Sequence, residues 1–195
     1  MIGSAALDIT AQERESANTE LVRHSTGPGH VRLSLGGVAR NMAEAAHRIM
    51  EARYPGSSCA LISPIGEDTF GQVLVDELRK NKMRTDGLVT TSSPTAVCNM
   101  LLDSKGTLVG GVADMDITQN ASADQVPIIA PSLSGVTDES EQILKRLSQW
   151  RPKVVGLDAN LSEETIASVV RHANGSGVKG RRAITVSNSV LTRVS

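Results

Sequence analysis

The residues best equipped for chemistry come early and in a fixed order: a carboxylate at Asp8, two adjacent glycines at Gly36 and Gly37, and an amide at Asn41. An ionised aspartate only accepts hydrogen bonds, whereas an asparagine donates and accepts, so the two together can hold a vicinal diol. Adjacent glycines let a ligand approach the backbone closely. Where they open a helix they also leave N–H groups unpaired by the helix itself. A later apolar run, Val154 to Asp158, adds a second carboxylate and, two residues on, Asn160. A sugar is the ligand that suits this set. Each feature also has a plainer reading: an aspartate at a strand end is often a turn residue, and Gly-Gly before a helix is often only a turn.

These residues need elements to position them. Ile2 to Asp8 reads as a short buried strand ending in its carboxylate, followed by a polar loop from Thr10 to Glu20 and a second strand near Val31 to Leu35. From Ala39 to Tyr54 apolar residues recur at helical spacing until Pro55-Gly56 stops them. Ser58 to Ile62 reads as a strand, Pro64 to Asp68 as a turn, and Phe70, Val73, Leu74 and Leu78 as one face of a helix. Two strand-like runs, Ala96 to Leu102 and Leu108 to Ala113, flank Asp103-Ser104-Lys105-Gly106, a hairpin turn. Glu141 to Trp150 is helical in pattern, and Pro127 to Ser140 is the most linker-like stretch. Ser162 is suited to cap a helix with Glu163 and Glu164 in its first turn, ended by Asn174-Gly175. Strands alternating with helices predict an α/β protein with a mainly parallel sheet and a hairpin insertion, its ligand at the carboxyl ends of the strands.

Composition narrows the function classes. The chain has 195 residues, 20 Lys+Arg against 21 Asp+Glu, and three aromatics, Tyr54, Phe70 and Trp150. That balance supplies no basic field for nucleic acid or an anionic membrane surface, and three aromatics make a poor base-stacking platform. Met1 to Leu7 lacks the basic start of a signal peptide, and no run approaches a membrane span. A cytoplasmic protein is expected, with Cys59 and Cys98 as buried, reduced thiols and no metal site. The charge is uneven: the first 164 residues carry −6 and the last 31 carry +5.

Three motifs in order resemble the ribokinase-like (PfkB) carbohydrate kinases: Ile2-Gly3-Ser4-Ala5-Ala6-Leu7-Asp8-Ile9, Gly36-Gly37-Val38-Ala39-Arg40-Asn41-Met42-Ala43 and Ile65-Gly66-Glu67-Asp68-Thr69-Phe70-Gly71. Within that family, the Gly-Gly-Val-Ala-Arg-Asn form and Ala113-Asp114-Met115-Asp116-Ile117 are most similar to pseudouridine kinases. The resemblance implies a ribokinase-like three-layer α/β sandwich with a small β lid, here about 88–113, closing over a small-molecule sugar or nucleoside. It implies that Asp8, Gly36, Gly37 and Asn41 bind sugar hydroxyls. Asn99, on a lid strand, faces either substrate or solvent, and Asn160 belongs either to the pocket or to the entry of the following helix. It further implies ATP and Mg²⁺, transfer of the γ-phosphoryl group to a sugar 5′-hydroxyl, and a homodimer joined through the lids.

The chain departs from the family in its later part. The Gly-Ala-Gly-Asp motif whose aspartate is the family's catalytic base does not occur in the 195 residues, so no catalytic residue is assigned. Asn160-Leu161-Ser162-Glu163 matches the family's metal-organising Asn-x-x-Glu as a string, but it comes too early, and helix capping explains it better. The expected organisation is therefore a partial kinase domain over 1–179 followed by a divergent basic tail over 180–195. Two functions follow: a kinase lacking its base and nucleotide site, or a non-catalytic truncated remnant that binds sugar or self-associates.

Overall fold

The computed structural model describes residues 1–14, 26–120, 150, 152–175 and 183–186, with side chains left aside at 172–175 and 183–186. The expected helix at 141–150, apart from Trp150, and the linker-like 127–140 lie outside these residues. The chain runs β1 (Ala6–Glu13), β2 (Gly29–Gly36), α1 (Val38–Arg53), β3 (Ser63–Gly66), α2 (Thr69–Lys80) and β4 (Leu88–Thr91). It continues with β5 (Val97–Leu102), β6 (Leu108–Asp114), α3 (Asp116–Gln119), β7 (Val155–Asp158), α4 (Glu163–Gly175) and β8 (Ala183–Val186).

A parallel body sheet is assembled around the first three residues. β3 pairs with β4 and β7 with β8, all parallel, and Ile2 bridges both Ile62 and Leu157. Backbone hydrogen bonds from Ile2 N to Gly156 O (2.8 Å) and from Gly3 N to Ile62 O (3.0 Å) stitch the two halves. Because successive strand side chains point to opposite faces, Leu61 and Ile62 enter different cores. Leu61, Ile65, Leu74, Leu78, Ala39 and Ala43 form one, under α1 and α2; Ile2, Ile62, Val155, Leu157 and Val169 form the other, under α4. Helices on both faces make three layers, the ribokinase-like α/β arrangement expected. Each fully buried leucine contributes roughly 2 kcal/mol of apolar burial.

The second sheet projects from this body in the order β2-β1-β5-β6. β1 is antiparallel to β2 and parallel to β5, and β5 is antiparallel to β6. Several expectations change here. Thr10 to Glu13 is strand, not loop, so Asp8 stands inside β1 and not at its end. The polar alternation of Thr10 and Gln12 with Ile9 and Ala11 belongs to a strand that leaves the core and becomes half-solvated. β4, expected within the lid at 88–113, is a body strand, so the projecting sheet takes only β5 and β6 from that stretch and takes β1 and β2 from the N-terminal part. The turn expected at 64–68 is mostly β3. Ala183–Val186, within the expected tail, forms β8 beside β7.

The expected hairpin turn is present, with Gly106 N donating to Asp103 O and Asp103 N to Thr107 O, and Gly106 at φ 84°. Both cysteines are free thiols, Cys59 buried and Cys98 only half-buried. Among the described residues no helix is long and apolar enough to cross a membrane.

Candidate functional site

The carboxyl edge of the body sheet and the root of the projecting sheet meet at Gly36-Gly37, where β2 turns into α1. A helix start leaves several N–H groups without intrahelical partners. Here they are not free, contrary to the sequence expectation. Val38 N donates to Ser4 Oγ (3.1 Å), Ala39 N to Asp158 Oδ2 (2.9 Å) and Arg40 N to Ser4 O (3.1 Å). Gly37, the cap residue, makes no side-chain cap bond and sits at φ 90°.

Asp158 is the anion that this helix start holds. Its side chain is fully buried, and besides Ala39 N it accepts from Ser4 N (2.7 Å), Ser4 Oγ (2.7 Å) and Asn160 N (2.9 Å). Asn160 adds a bond from Nδ2 to Ser4 Oγ (3.0 Å). A carboxylate saturated by donors at a helix N-terminus is an internal version of an anion site. Asp158, Ser4 and Asn160 thus tie β7, the N-terminal segment and α1 together. Asn160 goes to this tie, and Ser162, whose Oγ accepts from Thr165 N (3.2 Å), caps α4 as the sequence suggests. Ser4 was not singled out from sequence; its only signal is that it is a polar residue inside an apolar run.

Asp8 is the opposite case. It is half-buried, and no hydrogen bond reaches its carboxylate among the described residues. Burial pushes its pKa up, and the Arg40 guanidinium opposes part of that rise. The register sets Asp8 across from Ser34 on β2 and Cys98 on β5. Its carboxylate also lies directly over Gly36, where a Cβ would come within 2.3 Å of Oδ1. Burial and the Asp8 charge together push the Cys98 thiol up.

The two glycines answer to different demands. A Cβ on Gly37 would meet Ser4 O at 2.4 Å and the Ala5 Cα at 2.7 Å, both backbone, at a φ that L residues avoid. The three atoms nearest a Cβ on Gly36 all belong to the Asp8 carboxylate. Asn41, in the first turn of α1, is exposed, and its Oδ1 accepts from the guanidinium of Arg40.

Asp8, Gly36, Gly37 and Asn41 therefore converge at one end of α1. Asn99 does not join them. Its register with Ile9, one residue on from Asp8, puts it on the other face of the projecting sheet, beside Val112. The third motif, Ile65 to Gly71, is a second structural tie. Asp68 Oδ1 accepts from Gly71 N (2.8 Å) and Thr95 Oγ1 (2.7 Å), and Oδ2 from Thr95 N (2.8 Å). Burial raises the Asp68 pKa, but these bonds outweigh it and hold the carboxyl below its usual range. No group of three His, Cys, Asp or Glu side chains able to hold a metal ion forms among the described residues.

Known proteins place the chain. Its sequence is 27% identical to a pseudouridine kinase of Escherichia coli over 174 residues, covering 89% of this chain and 47% of that one. It is 28% identical to a pseudouridine kinase of Arabidopsis thaliana over 121 residues, covering 62% and 29%. The chain thus spans at most about half the length of these relatives. The fold matches that of Arabidopsis thaliana ribokinase, solved with ribose and ATP, at a TM-score of 0.65 and 17% identity, covering 94% of this chain and 51% of that one. The profile of the pfkB family carbohydrate kinases matches residues 1–133, about two thirds of the sequence and all three opening motifs, and the chain belongs to that family.

Proposed function

We propose that this chain binds the ribosyl ring of a nucleoside, pseudouridine first, at Asp8, Gly36, Gly37 and Asn41. It would be the acceptor side of a kinase that moves the γ-phosphoryl group of ATP to a sugar 5′-hydroxyl. The observation that carries the reading is Asp8: a half-buried carboxylate with a raised pKa and, among the described residues, no hydrogen bond, set over a glycine that leaves it room. A fold gains nothing from an unmatched anion there, and such groups cluster where a ligand completes the bonding. The two pseudouridine kinases among the relatives support the nucleoside, and ATP follows from the family.

In the transfer, a bond forms between the 5′-oxygen and the γ-phosphorus, the bond to the bridging oxygen of ADP breaks, and the hydroxyl proton passes to a base. Asp8 and Asn41 would fix the hydroxyls of the ring so that the 5′-oxygen is in line. The family's Gly-Ala-Gly-Asp base does not occur in this sequence. By this reading the 195 residues supply the acceptor side of the reaction, and calorimetry is expected to register pseudouridine binding to them. No heat of binding would overturn the reading.

One observation favours self-association as a second role. Val31 and Val112 are each 74% exposed, and they share with Leu33 and Leu101 the face of the projecting sheet turned away from Asp8. An apolar strip of this kind suits a second copy of the sheet. Sedimentation equilibrium should show a dimer that a Val31→Lys, Val112→Lys variant loses; a monomeric wild-type chain would exclude it.

A further inference from the structure

We infer that Arg40 is a positioning residue of the sugar site, fixing the donor and acceptor pattern that Asn41 and Asp8 present to a diol. The inference rests on the proposed sugar binding and deepens it. Arg40 is 6% exposed although it stands in the first turn of a helix, where the macrodipole disfavours a cation. Its guanidinium is ion-paired to Glu44 one turn on, donates to Leu35 O (3.0 Å) at the end of β2, and donates to Asn41 Oδ1. Its Nε is buried without a hydrogen-bond partner among the described residues. Burying a cation with one donor unmet is costly, and joining α1 to β2 would need only the bond to Leu35.

The remaining contacts point at the ligand side. With Oδ1 engaged by Arg40, Asn41 has its Nδ2 donors left for a ligand, and no bond from Nδ2 forms among the described residues. Asp8, when ionised, only accepts. One hydroxyl of a diol can then donate to Asp8 while its neighbour accepts from Asn41, a pattern that neither residue enforces alone. The groups around Asp8 are Arg40 from α1, the Cys98 thiol from β5 and, two residues along the same face of β2, the exposed Arg32. Arg40 is the cation that opposes the rise burial imposes on the Asp8 pKa.

The test is pseudouridine titration of the 195-residue chain across pH 4 to 8, with thermal melting alongside, for wild type, Arg40→Met and Arg40→Lys. Arg40→Met should raise the Kd about tenfold, the size of one charge-assisted bond. It should also move the acid limb of binding to higher pH, because Asp8 then protonates more readily. Arg40→Lys keeps the charge but not the fork that reaches Asn41, so its acid limb should stay near wild type while the Kd rises by a smaller factor. If Arg40→Met does not fold, Arg40→Lys alone decides. Variants that melt lower but bind with unchanged Kd and acid limb would reduce Arg40 to a strut. A wild-type chain that binds no pseudouridine would overturn the sugar site itself and this role with it.

Discussion

Asp158 and Asp8 stand on either side of the same helix start, and the molecule treats them in opposite ways. Asp158 is fully buried, accepts four hydrogen bonds and draws three parts of the chain together. Asp8 is half-buried, accepts none among the described residues, and is held at a raised pKa. A carboxyl whose folded pKa is raised favours the fold when protonated, so that contribution is present at low pH and lost as the pH rises through the folded value. At neutral pH the Asp8 charge is therefore a cost to folding. The lesson is that burial alone does not mark a site; an inventory of hydrogen bonds does. Where donors saturate a carboxylate, as at Asp158, the residue builds the fold; where none reaches it among the described residues, as at Asp8, the proposed site keeps an acceptor for a ligand.

The comparison can be broken most forcefully at Asp158. Asp158→Asn places a donor among four donors and should cost about 3–5 kcal/mol in urea unfolding; a loss under about 1 kcal/mol would show that the tie carries little. Next come the glycines. Gly37→Ala must move backbone at a strained φ and should cost about 2–3 kcal/mol. Gly36→Ala presses first on the Asp8 side chain, not on backbone, and should leave stability within about 1 kcal/mol while weakening pseudouridine binding about tenfold. Equal stability losses at the two glycines would erase the distinction between tie and site.

The smallest effect is expected at Asp68, a tie at the surface of the same sheet. Its pKa is depressed, so its contribution is present at neutral pH and lost as pH falls through the folded value. Asp68→Asn should destabilise by about 1 kcal/mol at pH 7, with the gap to wild type closing in acid. A gap that persists to low pH would contradict the charge-based account.

The elements with a strong period were legible in the sequence. α1 and α2 sit close to their expected positions because each buries one face, and the exposed β5–β6 hairpin does so because its turn at Asp103-Ser104-Lys105-Gly106 is recognisable. β1 was not, because its outer half belongs to a sheet solvated on both sides, where polar residues such as Thr10 and Gln12 do not signal a loop. The order of the site motifs was legible too, but their division of labour was not. Nothing local separates Asp8 from Asp158, since what separates them is Ser4, 154 residues from Asp158 in sequence, and the N–H groups of a helix start. The Ile65 to Gly71 string likewise owes its meaning to Thr95, 27 residues from Asp68. Asn99 takes the solvent side of its two readings, because a one-residue step along a strand exchanges the two faces.

The account stands on Asp8 being kept open for a sugar hydroxyl, and calorimetric titration of pseudouridine into wild type and Asp8→Asn at pH 7 tests that directly. Wild type should bind, and Asp8→Asn should bind about 10- to 100-fold more weakly with a melting temperature equal to or above that of wild type. Equal binding by the two proteins, or weaker binding explained by a lower melting temperature, would contradict it.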